Sequence, residues 1–289
     1  MKALWLRLTP SVFVLLWSTG FIGARLGMPH AEPMTFLSLR FALTALLLGL
    51  AALVWRAPWP RRPTDWGHLA VSGFLMHGVY LGGVFVAIHM GLEAGLSALI
   101  VCLQPLLVAA AAPLLLRERV GPGSWVGLAL GLLGVTLVLA RKLGTGSGET
   151  AAVSACLLAL AGITVGTLYQ KRFCTAQDLR TGNLVQFAAA AAACWVGALL
   201  FETRRIDWTP ELVFALLWLV LVLSLGAISL LYILLRRGAA ARVASLFFLV
   251  PPTTALIAWP LFGERLGPVE ITGMVITVAG VALANLDRR

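Results

Sequence analysis

Residues 98–139 read ALIVCLQPLLVAAAAPLLLRERVGPGSWVGLALGLLGVTLVL, and the pattern returns in degraded form from Ala244 onward. A constant shift of 146 positions carries Leu103 onto Leu249, Pro105 onto Pro251, Glu118 onto Glu264 and Arg119 onto Arg265. The same shift carries Gly121 onto Gly267, Pro122 onto Pro268, Gly127 onto Gly273 and Gly134 onto Gly280. An apolar chain gives chance matches of Leu or Ala, but not a proline, a Glu-Arg-x-Gly-Pro run and two glycines in register. Half of the chain is therefore a copy of the other half, and the fold has to be read in units of that repeat.

The 289 residues are 60% apolar and 12% charged, with a mean hydropathy of +0.94. A soluble domain cannot bury that share, so an integral membrane protein is expected, with no sizeable soluble domain. The net charge of +10 does not point to nucleic acid. Its Lys and Arg stand in short links between apolar runs, where they act as topology signals. Cys102, Cys156, Cys174 and Cys194 lie in or beside apolar runs without C-x-x-C spacing and read as buried free thiols. Lys2 and Arg7 precede an apolar run as in a signal peptide, but no small-x-small cleavage site follows, and the run has a later counterpart.

Apolar runs long enough for a bilayer core of about 30 Å can be placed ten times. They cover 10–27, 33–55, 66–90, 93–117, 121–140, 150–173, 182–202, 210–236, 240–263 and 267–286. The polar link 141–150 joins a first unit, 1–140, to a second, 151–289. With the N-terminus inside, fifteen Lys and Arg fall on the cytoplasmic side and six on the other, so both termini are expected in the cytoplasm. Five spans per copy is an odd number, so the second copy enters the membrane upside down. The expected fold is all-α: ten transmembrane helices as two inverted five-helix repeats around a central cavity, a transporter arrangement with its site near the midplane.

Polar groups at mid-span rarely face lipid, which selects the candidate site residues. Trp17 lies in span one beside Ser18 and Thr19, while His77 and Tyr80 share one face of span three. Gln104 and Tyr169 are further candidates, although such groups also tie helices together. Arg40, inside span two, aligns with Gln186 under the shift and either meets a substrate carboxylate or snorkels to the surface. Pro105 and the pair Pro251-Pro252 interrupt spans four and nine at corresponding places. The carbonyls of Val101, Phe247 and Phe248 would lose their usual donors, so these helices are expected to line the cavity. Gly78-x-x-x-Gly82, Gly127-x-x-x-Gly131 and Gly162-x-x-x-Gly166 permit close helix contact. Trp5, Trp55, Trp59, Trp66 and Trp208 flank spans as interface anchors, whereas Trp195, Trp218 and Trp259 lie deeper.

No Asp or Glu stands at mid-span, so a carboxylate proton relay is not expected. Paired carboxylates, metal-ligand spacing and a phosphate loop are missing too, which argues against an enzyme, a metal or a cofactor.

LLWSTGF at 15–21, together with the twice-repeated Pro, Glu-Arg and Gly-x-x-x-x-x-Gly series, resembles the EamA family of the drug/metabolite transporter superfamily. Within it, Trp17-Ser18-Thr19 followed by Gly20 and Arg25 is similar to an exporter of aromatic amino acids; His77, Tyr80 and the double proline depart from that pattern. The resemblance implies a multi-pass inner-membrane exporter of amphipathic metabolites, aromatic or large neutral amino acids foremost, working by alternating access. Its partners would be the small-molecule cargo and membrane lipid, with no nucleic acid, and the protein would be a monomer. Carriers of drugs or of sugar phosphates are the nearest alternatives. A membrane-embedded transferase is the alternative from another class.

Overall fold

The computed structural model describes residues 2–116, 121–142, 147–174, 177–227, 230, 246–264 and 266–286. Among these the regular structure is helical, apart from one isolated antiparallel bridge between Ala31 and Ile206. The helices are α1 (Lys2–Gly27), α2 (Pro33–Val54), α3 (Pro63–Gly73), α4 (Tyr80–His89), α5 (Ala94–Val101) and α6 (Gln104–Leu116). They continue with α7 (Pro122–Lys142), α8 (Ser147–Phe173), α9 (Leu179–Phe201), α10 (Pro210–Leu217), α11 (Val250–Phe262) and α12 (Pro268–Leu286). Five of them, α2, α3, α7, α10 and α12, begin on a proline, whose missing N–H costs nothing in a first turn. Gly263 at φ 68° closes α11, the left-handed position that glycine adopts without strain. Glu118, Arg119, Arg265 and most of 228–245 lie outside the described residues.

Five segments are long and apolar enough to cross a membrane: Pro33–Val54, Pro63–His89, Gly148–Phe173, Leu179–Phe201 and Pro210–Ala227. Shorter apolar helices accompany them, among them Trp125–Val138 and Pro268–Leu283. Their outer faces carry Leu53, Val54, Leu200, Phe201 and Leu256, all at least 66% exposed. So many exposed large apolar side chains suit a lipid surrounding. Trp55, Trp59, Trp66 and Trp208 are exposed near helix ends, with the Trp59 and Trp66 rings stacked at 5.9 Å.

Two pairs of helices equivalent under the 146-residue shift, α2 with α9 and α7 with α12, pack against each other antiparallel. Along α2 and α9, Met34 sits at Gly197 and Leu184 at Gly49. Along α7 and α12, Gly134 meets Gly273, and Gly280 lies so close to Gly127 that a Cβ there would stand 2.7 Å from its carbonyl oxygen. Thr277 fills the gap, its hydroxyl donating to the Gly273 carbonyl at 2.8 Å. The glycines pair here because only a bare Cα lets two backbones touch. Gly162 and Gly166 serve α8 likewise, seating Val79 and Met76.

Two local features depart from continuous helix. The span expected over 93–117 is two helices, broken at Cys102–Leu103 just ahead of Pro105. A 3₁₀ turn, Phe247–Leu249, occupies the equivalent place ahead of Pro251. The Phe247 carbonyl accepts from the Val250 N–H, so the tighter turn re-satisfies it. In addition, π-helical segments occur at Phe74–Val79 and Trp218–Ala227, overlapping under the shift; His77 and its equivalent Leu223 both stand on them.

Candidate functional site

The two π segments, α1, α2, α4, α8 and α9 enclose a cavity of about 730 Å³. A π turn spaces its residues more widely than an α turn and re-aims side chains inward, which is why such turns recur at functional sites. Trp17, Arg40, His77 and Tyr80 all face this cavity, so four of the six candidate side chains meet in one place.

Their surroundings differ in kind. The His77 ring stacks on Phe187 with centroids 4.2 Å apart, and His77 shares a side-chain hydrogen bond with Gln186. Trp17 meets Phe247 edge-to-face at 5.1 Å and Phe13 at 5.4 Å, a contact that fixes its ring against the wall. Arg40 does not reach the surface: it is 3% exposed, with its guanidinium 5.6 Å from the Phe41 ring and 5.8 Å from that of Phe85. Its Nη2 donates to the Ser224 hydroxyl at 3.4 Å.

Among the described residues, the remaining candidates stand off the cavity wall. Gln104 donates to the Thr167 hydroxyl at 3.1 Å and so holds a wall residue from behind. The Tyr169 hydroxyl bonds His68 Nδ1 at 2.7 Å near the end of α8. Pro105, Pro251 and Pro252 are not among the residues lining this cavity; ahead of Pro251 the Phe247 carbonyl accepts from the Val250 N–H. Gln186, Phe187, Phe85, Leu223 and Ser224, by contrast, line the cavity without having been singled out from sequence, except that Gln186 was already the repeat partner of Arg40.

Pairing the lining residues by the shift sets Trp17 against Ile163, Arg40 against Gln186, His77 against Leu223 and Phe21 against Thr167, with both members in the wall each time. The wall is therefore built from equivalent positions of the two copies. At these pairs the first copy supplies Trp17, Arg40 and His77, while Gln170, Lys171, Gln177, Asn183 and Gln186 of the second also line the cavity.

At one end of the bundle, carboxylates clasp the two copies together. Glu202 accepts from the Met34 and Thr35 N–H groups at 2.7 and 2.8 Å and from the Thr35 hydroxyl at 2.7 Å. Glu32 returns the contact, accepting from the Thr203 and Arg205 N–H groups at 3.1 and 3.0 Å. Burial opposes its ionisation, yet these N–H groups outweigh that and hold its carboxyl below the ordinary carboxylate value. Glu264 accepts from the Ala94 N–H at 3.0 Å, with Arg25 Nε 3.6 Å away. Burial pushes the Glu264 carboxyl up, against the Ala94 and Gly95 N–H groups and Arg25. Each carboxylate meets N–H groups that a helix start or a loop leaves unpaired, and each joins the first copy to the second.

At the opposite end, the cavity runs to Lys171, Gln177 and Leu179. Lys171 and Leu179 are exposed, so the cavity reaches the surface there.

Fold and site together define an all-helical membrane protein with an inner chamber that reaches the surface at one end, and with carboxylates tying the two copies together at the other. The EamA-like transporter family matches the chain twice, over residues 8–140 and 150–286, and the chain belongs to that family. It is a transporter and not an enzyme. The chain is 27% identical over 277 residues to an uncharacterized transporter of Bacillus subtilis, YvbV, covering 94% of this chain and 88% of that one. It is also 27% identical over 282 residues to a probable amino-acid metabolite efflux pump of Salmonella typhimurium, covering 93% and 90%. A probable terminal-alkyne amino-acid exporter of Streptantibioticus cattleyicolor is 25% identical over 301 residues, covering 98% and 93%. A crystal structure with a TM-score of 0.67 and 22% identity spans 98% of this chain and 97% of its own, a likeness of fold.

Proposed function

We propose that this protein exports small amphipathic metabolites, aromatic or large neutral amino acids foremost, across the inner membrane by alternating access. In this reading ten spans form two inverted five-helix units, 1–140 and 151–289, joined by 141–150, and both termini are cytoplasmic. The antiparallel packing of α2 on α9 and of α7 on α12 supports the inversion, and the double family match supports the two units. Charge supports the orientation. Arg56, Arg61, Arg62, Lys171, Arg172 and Arg180 cluster at the open end, while Arg25, Arg204 and Arg205 are at the clasped one. Two relatives of this length are named for amino-acid efflux or export.

The observation that carries the reading is the two-sided wall. Trp17, Arg40, His77 and Tyr80 offer aromatic faces and polar heads, while Ile163, Leu223 and Phe187 offer an apolar bed. Such a wall matches a molecule with a polar end and a bulky apolar end. Trp17 and Tyr80 would stack on the apolar body, with His77 at the polar end and Gln104 and Tyr169 as supports behind the wall. Cargo entering from the open end would be released outward once the carboxylate clasps part and the two units rock.

Counterflow into proteoliposomes with labelled amino acids tests this. Phenylalanine, tryptophan and leucine are expected to exchange, and the double substitution Trp17→Ala, His77→Ala to lower exchange by about tenfold or more, equivalent to losing one good contact. Unaltered exchange and selectivity in the double variant would show that the cargo binds elsewhere.

A further inference from the structure

Arg40 is the one charged side chain deep in the described cavity wall, and most of its guanidinium has no partner. Of its three nitrogens, Nε and Nη1 are buried without a hydrogen bond to any described residue, and Nη2 has only the Ser224 hydroxyl at 3.4 Å. A guanidinium carries five N–H donors, and the single bond to Ser224 leaves four of the five unmatched among the described residues. The rings of Phe41 and Phe85 offset part of the charge but accept no conventional hydrogen bond. Around it stand His77, Tyr80 and Ser224, none of them an anion at neutral pH, and the described lining contains no Asp or Glu. Burying a cation without a counter-charge is among the costliest arrangements a fold can hold, and more so at membrane depth. A second species that brings the negative charge would remove that cost.

We infer that the cargo's carboxylate is the counter-ion of Arg40, and that the chamber reads this carboxylate and not an amino group. The inference rests on the exporter reading above and narrows it. A planar carboxylate fits a guanidinium fork through paired N–H···O contacts. An ammonium finds no carboxylate in the described wall and is repelled by Arg40, with Lys171 adding positive charge at the mouth. The cargo class is therefore an organic acid with a large apolar body. Amino acids belong to it, and so do the corresponding 2-oxo, 2-hydroxy and N-acyl acids, whereas decarboxylated amines do not.

Three compounds sharing one phenyl body separate these cases: 3-phenylpropanoate, phenylalanine and phenethylamine. In proteoliposomes the two acids are expected to be carried and to compete with each other, with phenethylamine slower by about tenfold or more for want of a charge-assisted pair. Arg40→Gln, which copies the residue at the equivalent position 186, is expected to remove the preference for acids, and Arg40→Lys to retain part of it. Binding is read separately in detergent from the rise in unfolding temperature on adding 3-phenylpropanoate, expected in the wild type and lost in Arg40→Gln. Equal transport of phenethylamine and the acids, or equal stabilisation by them, overturns the inference and leaves the exporter reading standing. Stabilisation by 3-phenylpropanoate that depends on Arg40, without transport of any compound, would overturn the exporter reading and leave the carboxylate site.

Discussion

Gly134→Val is expected to prevent α7 and α12 from closing on each other, with a loss of folded, monodisperse protein in detergent and an unfolding transition several degrees lower. A Cβ at position 134 would run into the Gly273 carbonyl oxygen and the Thr277 hydroxyl, and it would stand 2.7 Å from the Thr277 nitrogen. Two of these obstacles are backbone, which cannot rotate away as a side-chain tip can. Overpacking a well-filled site costs about 1–3 kcal/mol, and an immovable backbone places this case at the upper end. Gly280→Val should behave alike, because its Cβ would meet the Gly127 carbonyl at 2.7 Å and the Gly131 nitrogen at 2.8 Å. Gly67→Ala in α3 is the control, since nothing lies within 4 Å of a Cβ there and alanine favours helix. Wild-type melting in both valine variants would mean that α7 and α12 are not in backbone contact.

Glu202→Gln is expected to unlatch the clasped end. The carboxylate accepts three hydrogen bonds within 2.8 Å from the first turn of α2, and the amide replaces one acceptor oxygen with a donor that faces N–H groups. Hydrogen bonds to a charged group contribute about 1.5–3 kcal/mol, so a net loss of about 2 kcal/mol is reasonable after discounting for partial exposure. That shifts a two-state equilibrium about thirtyfold toward the arrangement in which this end is open. Leu223→Cys in a background without the native cysteines reports the change. An impermeant maleimide applied from the clasped side should label it faster in the Glu202→Gln protein, and equal labelling rates would remove Glu202 from the gate. Glu32 acts in the same direction. Its folded pKa is depressed, so its contribution is complete above the ordinary carboxylate value and is lost only as pH falls through the lowered one.

How far the residues alone led depended on the kind of signal. Trp17, Arg40, His77 and Tyr80 could be placed inside because a polar group at mid-span has nowhere else to go, and all four face one chamber. The same rule also selected Gln104, whose amide donates to the Thr167 hydroxyl, and Tyr169, whose hydroxyl bonds His68, and neither is in the described wall. The prolines were read as marking cavity-lining helices; they are not in the described wall, and a 3₁₀ turn re-satisfies the Phe247 carbonyl ahead of Pro251. Nothing in the residue order marked the π segments, where Phe74–Val79 and Trp218–Ala227 are as apolar as any helix. Nor did it mark Glu202 and Glu32, whose partners lie about 170 positions away.

The pairing of wall positions between the two copies bears on how such a chain can acquire a new cargo. Where one half carries Trp17, Arg40 and His77, its twin carries Ile163, Gln186 and Leu223, so equivalent positions have diverged in chemistry while staying in one wall. A substitution at one member of such a pair would alter the chamber while leaving the glycine contacts and carboxylate clasps between the copies in place.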